Sequence, residues 1–161
     1  NNKGEEVTEA ETALDVNKNF ITTWRVNAND KIVLPFIVDQ YFQGNYNCTI
    51  DWGDGSETEH VGGKNSIAKR PEHTYSQAGD YNISISGKCS YFVLSANAYS
   101  STYPELLKKL IKIVSWGTVE AGGYGFGDAE NLVEIAEPTK KTFIKCEDDS
   151  FAYLFAGCKN L

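Results

Sequence analysis

The sequence has no methionine, only two histidines and four prolines, and no long apolar run. A helix needs about 20 consecutive apolar residues to cross a bilayer, so no transmembrane segment is expected. Positive charge is the minority sign: 15 Lys and Arg stand against 22 Asp and Glu, a net charge of -7. Nucleic-acid affinity is driven by neutralising phosphates, and no block of Lys or Arg is present to do it, which excludes nucleic acid as a partner and disfavours anionic membrane surfaces. The four cysteines, Cys48, Cys89, Cys146 and Cys158, form no C-x-x-C pair. That removes zinc-ribbon and thioredoxin-type chemistry, and the spacing is too scattered for a disulfide scaffold. No signal peptide opens the chain and Met is missing even at position 1, as expected of a processed or trimmed piece of a longer product.

What is present is enough to build a core: 41% of the 161 residues are hydrophobic and 12% aromatic. Residues 1–19 are polar and acidic and read as a flexible leader. From Phe20 the pattern changes to short alternating runs. Phe20, Thr22, Trp24 and Val26 share one side of a first strand; Asn27–Asp30 is a turn by composition; Ile32, Leu34 and Phe36 share one side of a second strand over Lys31–Val38. Pro35 has no N–H to give a ladder, so that strand belongs at an edge or a bulge. Tyr46, Cys48, Ile50 and Trp52 then fall on one side of a third strand, which Gly53-Asp54-Gly55 stops. Ser56–His60 can return beside it. Tyr81, Ile83 and Ile85 alternate again, Gly87-Lys88 interrupts, and Tyr91–Leu94 continues. Six or seven short strands separated by turn signals suit a β-sandwich.

Three landmarks lie in a fixed order: Trp52-Gly53-Asp54-Gly55, then His73-Thr74-Tyr75, then Ala78-Gly79-Asp80-Tyr81 leading into Ile83. Together they resemble the polycystic-kidney-disease-type (PKD-like) β-sandwich, an immunoglobulin-like module. The resemblance covers about half the chain, and implies an antiparallel sandwich over residues 20–98 in which Trp52, Gly53, Asp54, Gly55, His73, Tyr75, Gly79 and Tyr81 are structural.

Composition changes near Ser100. Pro104 suits the first turn of a short helix with Leu106, Leu107 and Leu110 on its apolar side, and Lys112–Trp116 reads as a strand. After a glycine-rich loop, Phe126-Gly127-Asp128-Ala129-Glu130-Asn131-Leu132 is echoed by Phe155-Ala156-Gly157-Cys158-Lys159-Asn160-Leu161, an offset of 29 residues. Leu132–Ile135 and Thr142–Ile144 are strand-like, while Phe151, Leu154, Phe155 and Cys158 mark a helical stripe ended by Gly157. The ending resembles the BspA-type leucine-rich repeats of bacterial surface proteins, built on Phe-x-x-Cys-x-x-Leu. In that family the residues matching Cys158 and Leu161 point inward. Ala129 stands at the Cys position of the first copy, which implies an atypical, capping unit, and more repeats are expected to follow in the native product.

Chemistry was sought in the same residues. A nucleophile–base pair of Cys48 with His60 or His73 needs contact that a structural histidine explains away. Asp51, Asp54, Glu57 and Glu59 offer oxygens to calcium without the twelve-residue loop spacing, and as paired acids they lack the desolvation that glycoside hydrolysis needs. The Gly122–Gly127 loop lacks the Gly-Lys-Ser/Thr of a phosphate cradle. The sequons at Asn47 and Asn82 fall in strands and read as coincidental. Cys48 and Cys89 are either a disulfide or two buried thiols, the second being the simpler reading. Recognition is instead assigned to aromatics near loops: Tyr41, Phe42 and Tyr46, and at the junction Tyr124 and Phe126.

The expectation is therefore a mainly β chain: an acidic leader (1–19), an immunoglobulin-like antiparallel β-sandwich (20–98), and a linker helix with incomplete leucine-rich repeats of α/β character (99–161). The resemblances imply a non-catalytic bacterial adhesion protein without cofactor. They further imply an extracellular, cell-surface protein that binds host or neighbouring-cell proteins, with a lipid anchor upstream of Asn1 as one expected means of attachment. The alternative is a carbohydrate-binding accessory module of a secreted polysaccharide-degrading system, with glycans as partners.

Overall fold

The computed structural model describes residues 18–36, 46–62, 69–89, 91–94, 105–117, 123–137 and 155–161. The chain is mainly β. Its strands are β1 (Phe20–Val26), β2 (Lys31–Val33), β3 (Asn47–Asp51), β4 (Glu59–Gly62), β5 (Glu72–Thr74), β6 (Gly79–Lys88), β7 (Tyr91–Leu94), β8 (Leu110–Ser115), β9 (Gly123–Phe126) and β10 (Glu134–Ile135). Six of them form one sheet in the order β10-β8-β1-β6-β3-β4; β2 pairs with β5, and β7 with β9.

The strand β1 is central because both its edges are taken, antiparallel to β6 and to β8. Phe20, Thr22, Trp24 and Val26 are buried as expected and Arg25 is exposed, but Thr23 on the other side is buried too, its hydroxyl donating to Asn82 Oδ1 at 2.7 Å. Thr22 is tolerated inside because its hydroxyl accepts the Trp24 indole N–H at 2.9 Å. The second strand is shorter than expected, ending at Val33. Past it the Leu34 N–H reaches the Pro71 carbonyl at 2.9 Å, while Pro35 has no N–H to continue the ladder. In the other direction β6 is longer than expected: it runs through Gly87-Lys88 and pairs them with Cys48 and Asn47.

Rings join the sheets into a single interior. Phe20 meets Phe92 edge-on at 5.0 Å, Trp116 stacks on Phe20 at 6.1 Å, and Phe126 meets Trp116 at 5.8 Å. The arrangement is consistent with a β-sandwich, and residues 20–94 and 106–132 contribute to one apolar cluster. β8 is hydrogen-bonded into the main sheet beside β1.

The helix expected from Pro104 is replaced by one 3-10 turn, Leu106–Lys108. The Arg25 N–H takes the Lys109 carbonyl at 2.7 Å, and the Lys109 amine pairs with Asp30. Those bonds draw the chain into β8 at Leu110 before a costly helical nucleus can propagate. At the end of the chain Phe155–Gly157 is a turn, closed by the Cys158 N–H on the Phe155 carbonyl at 3.2 Å. Phe151, Leu154 and the strand expected at Thr142–Ile144 lie outside the described residues.

Candidate functional site

Two constellations emerge. The first surrounds the turn after β3. Gly53 and Gly55 take φ of 79° and 84°, and a Cβ on Gly53 would sit 2.4 Å from the Asn82 carbonyl oxygen, so only glycine fits that crossing. Asp51 accepts the Gly53 N–H at 2.9 Å, and Asp54 accepts the Ser56 N–H at 3.1 Å and hydroxyl at 2.6 Å. The other Asp54 oxygen lies 2.7 Å from His73 Nε2. The His73 ring stacks on Trp52 at 5.1 Å and meets Tyr75 edge-on at 4.9 Å. Tyr75 donates its hydroxyl to the Trp52 carbonyl at 2.8 Å and packs on Tyr81 at 4.4 Å. The residues quoted as landmarks thus meet in space, with the β5 and β6 segments clasping the turn.

The electrostatics of this clasp are those of a fixed structure. Burial alone would raise the Asp54 pKa, but hydrogen bonds from Ser56 and His73 outweigh it and hold the carboxyl at about 2. Tyr75 is pushed up by burial and then by the Asp54 charge, so it stays a neutral donor. Cys48 is buried and pushed up to about 12, first by burial and then by Glu59, which keeps its sulfur a thiol and a poor nucleophile. No disulfide joins Cys48 to Cys89. His60 lies beside Thr49, at 3.4 Å. Among the described residues no group of three or more His, Cys, Asp or Glu gathers as a metal site, and no helix is long and apolar enough to cross a membrane.

The second constellation is a stack. β10 runs parallel to β8 with Glu134 opposite Lys112, and β9 runs parallel to β7 with Phe126 opposite Leu94. The chain segment 155–161 lies on the segment 126–132: Phe155 stacks on Phe126 at 5.7 Å, and the Asp128 N–H reaches the Ala156 carbonyl at 2.7 Å. The Cys158 thiol donates to the Phe126 carbonyl at 3.1 Å. Like positions of the two copies also meet through charge, Lys159 on Glu130 at 2.8 Å.

No protein-family model matches this chain, and no curated protein or solved structure is significantly similar to it. The site has to be read from its own geometry.

That geometry corrects the aromatic expectation. Tyr46 is 1% exposed and stacks on Phe36 at 4.6 Å; Phe126 is 0% exposed between Phe92, Trp116 and Phe155. Both are core, because each sits at a strand end that another layer covers, and neither can touch a ligand. Tyr41, Phe42 and the side chain of Tyr124 lie outside the described residues. Of the repeat positions, Phe155 and Cys158 are half-buried against the cluster and Leu161 is exposed.

A further set was missed in the sequence. Lys112 and Glu134 face each other across an offset of 22, ion-paired at 2.6 Å. Carried along the chain, that offset aligns Leu107, Lys108, Lys109 and Leu110 with Ala129, Glu130, Asn131 and Leu132. The Asn131 amide donates to the Lys108 carbonyl at 2.8 Å, and the Asn160 amide to the Glu130 carbonyl at 2.7 Å. Three segments therefore repeat one contact. The signal was available as L-x-x-L-x-K-I against A-x-x-L-x-E-I, hidden by its differing from the 29-residue offset of the later pair.

Proposed function

We propose that this chain is a non-catalytic, extracellular binding protein of a bacterial cell surface, in which a PKD-like, immunoglobulin-like sandwich caps and spaces a stack of leucine-rich-type repeats. The observation that carries the reading is the repeated contact of the second half: an asparagine amide on the carbonyl of the preceding segment, at both Asn131 and Asn160. A stack of repeats leaves apolar ends that it cannot cover alone, and a β8 shared with the sandwich provides one such cover. Partners are host or neighbouring-cell proteins meeting the outer side of the stack. Lys112 and Glu134 form an exposed ion pair there, and Val114, on the same side of β8 as Lys112, is 41% exposed; Val133, next to Glu134 in the chain, is 55% exposed. Exposed apolar side chains set among charges suit a protein contact better than a phosphate or a bilayer.

A carbohydrate-binding accessory module is the other reading; Tyr46 and Phe126, two of the five aromatics to which recognition was assigned, are inside the core and serve neither reading. The deciding experiment puts the purified chain on immobilised host matrix proteins and on a glycan array. Saturable protein binding, weakened at least tenfold by V114D or V133D with the far-UV spectrum unchanged, supports adhesion. Selective glycan binding supports the accessory module, and silence on both removes both.

A further inference from the structure

The strands β4 and β10 stand at the two ends of the six-stranded sheet, and β4 pairs with β3. Among the described residues no strand lies beyond β4. An end strand offers a row of backbone N–H and C=O groups to an extended chain that comes alongside. The register sets Val61 opposite Cys48 and Glu59 opposite Ile50, so both point to the side of the sheet that carries the core. Cys48, Ile50 and Val61 are all buried there. Glu59, half-buried, is thus a carboxylate turned inward at the rim of an apolar layer, close enough for its charge to bear on the Cys48 thiol. Glu57, two residues earlier, is exposed. Elsewhere in the sheets carboxylates meet cations: Glu72 of β5 meets Lys31 and Lys69, Asp80 of β6 meets Arg25, and Glu134 of β10 meets Lys112. Among the described residues no cation pairs with Glu57 or Glu59.

We propose that the outer edge of β4 takes up an extended, basic segment of a partner protein as an added strand, with Lys or Arg opposite Glu59 and an aliphatic residue opposite Val61. Neighbouring strands lie about 4.8 Å apart, and facing side chains come within about 5 Å of each other. A strand laid against β4 therefore strips water from Glu59. An apolar strand would leave that charge covered and unpaired, and a second copy of this acidic edge would bring like charge to it, so both are rejected. A cationic strand replaces the lost water with an ion pair, while the backbone ladder supplies the remaining attraction. His60 and Gly62 lie on the exposed face and ask only for small polar neighbours. Read antiparallel to β4, the partner runs small polar, aliphatic, small polar, cationic. This edge is at the far end of the sheet from β10, so it is a second contact surface, independent of the one assigned to the stack.

The probe is the end-blocked peptide Thr-Val-Thr-Lys-Thr-Lys, whose lysines fall beside Glu59 and Glu57. It is titrated into the isotope-labelled full chain alongside two relatives. One carries Glu in place of both Lys; the other has every backbone amide N-methylated, which keeps the charges but cannot donate to a ladder. The lysine peptide is expected to bind at least tenfold more tightly than either relative in low salt and to slow amide exchange within Glu59–Gly62. High salt should remove most of its advantage over the glutamate peptide. Introducing E57K and E59K together, with the far-UV spectrum unchanged, passes the preference to the glutamate peptide. Equal binding of the N-methylated peptide would mean attraction without strand addition and overturns the proposal, as does a preference untouched by the two substitutions. No binding of the lysine peptide, protection gathered at another edge such as β10, or pairing of two unmodified chains through β4 overturns it as well.

Discussion

The two halves of the molecule satisfy their backbones differently. In the first, neighbouring strands are antiparallel and the decisive contacts are singular: one glycine under one carbonyl, one histidine between a carboxylate and an indole, one tyrosine on one main-chain oxygen. In the second, β8 and β10 are parallel, and the contacts are serial, the same amide-to-carbonyl bond recurring from segment to segment. Singular contacts make a closed unit, whereas serial contacts make one that can be lengthened. The halves join at β1, which binds an antiparallel partner from each, and at β7 of the first half, which runs parallel to β9 of the second.

The comparison breaks if the halves melt apart. Trp24 is fully buried on β1, and Trp24→Ala is expected to cost about 3–5 kcal/mol and to lower both halves together. Amide exchange on β3 and on β8 reads this, and a β8 that keeps its protection while β3 loses it would show two independent units. Next, Gly53→Ala places a methyl against the Asn82 carbonyl at positive φ, whereas Gly55→Ala meets open space. The first is expected to cost about 2–3 kcal/mol and the second about 1, read as a difference in denaturation midpoint; equal losses would mean the crossing of turn and β6 is not tight.

A smaller effect follows from Asp54. Its folded pKa is about 2, below the value of about 3.9 of an unfolded aspartate, so its stabilisation is complete above pH 4 and is lost as pH falls through 2. With solvent screening allowed for, about 1 kcal/mol is at stake. Asp54→Asn should flatten the pH dependence of stability across that window, and an unchanged slope would deny the clasp its charge. The smallest effect sharpens the serial half: Asn131→Ala is expected to cost about 0.5–1 kcal/mol and Asn160→Ala a few tenths, because the segment of Asn131 is contacted from both sides, at Lys108 and by Asn160. Asn160→Ala being the costlier of the two would contradict the stacking order.

Much of the first half was legible. Alternation at Phe20–Val26 and at Cys48–Trp52 named the buried faces, and Trp52–Gly55, His73–Tyr75 and Gly79–Tyr81 marked residues that meet around one turn. Alternation says which side of a strand is apolar, however, and not how much of the neighbouring loop the other layer covers. Tyr46 and Phe126 were accordingly taken for surface when they are core. The helix after Pro104 failed for a related reason: three leucines at helical spacing also suit a short turn followed by a strand, and the free N–H of Arg25 on β1 chose between them. In the second half the unequal spacing of the segments concealed a repeat whose residues were all in view.

By itself, the order of residues determined the mainly β character, the reversal at Gly53–Gly55 and the excess of acidic over basic residues, because these depend on local sterics, periodicity and composition. Only the tertiary structure decided that β8 joins β1, that Lys159 meets Glu130, and which aromatics lie within. Those outcomes depend on which hydrogen-bonding edge and which apolar face meet across distances the chain does not encode locally.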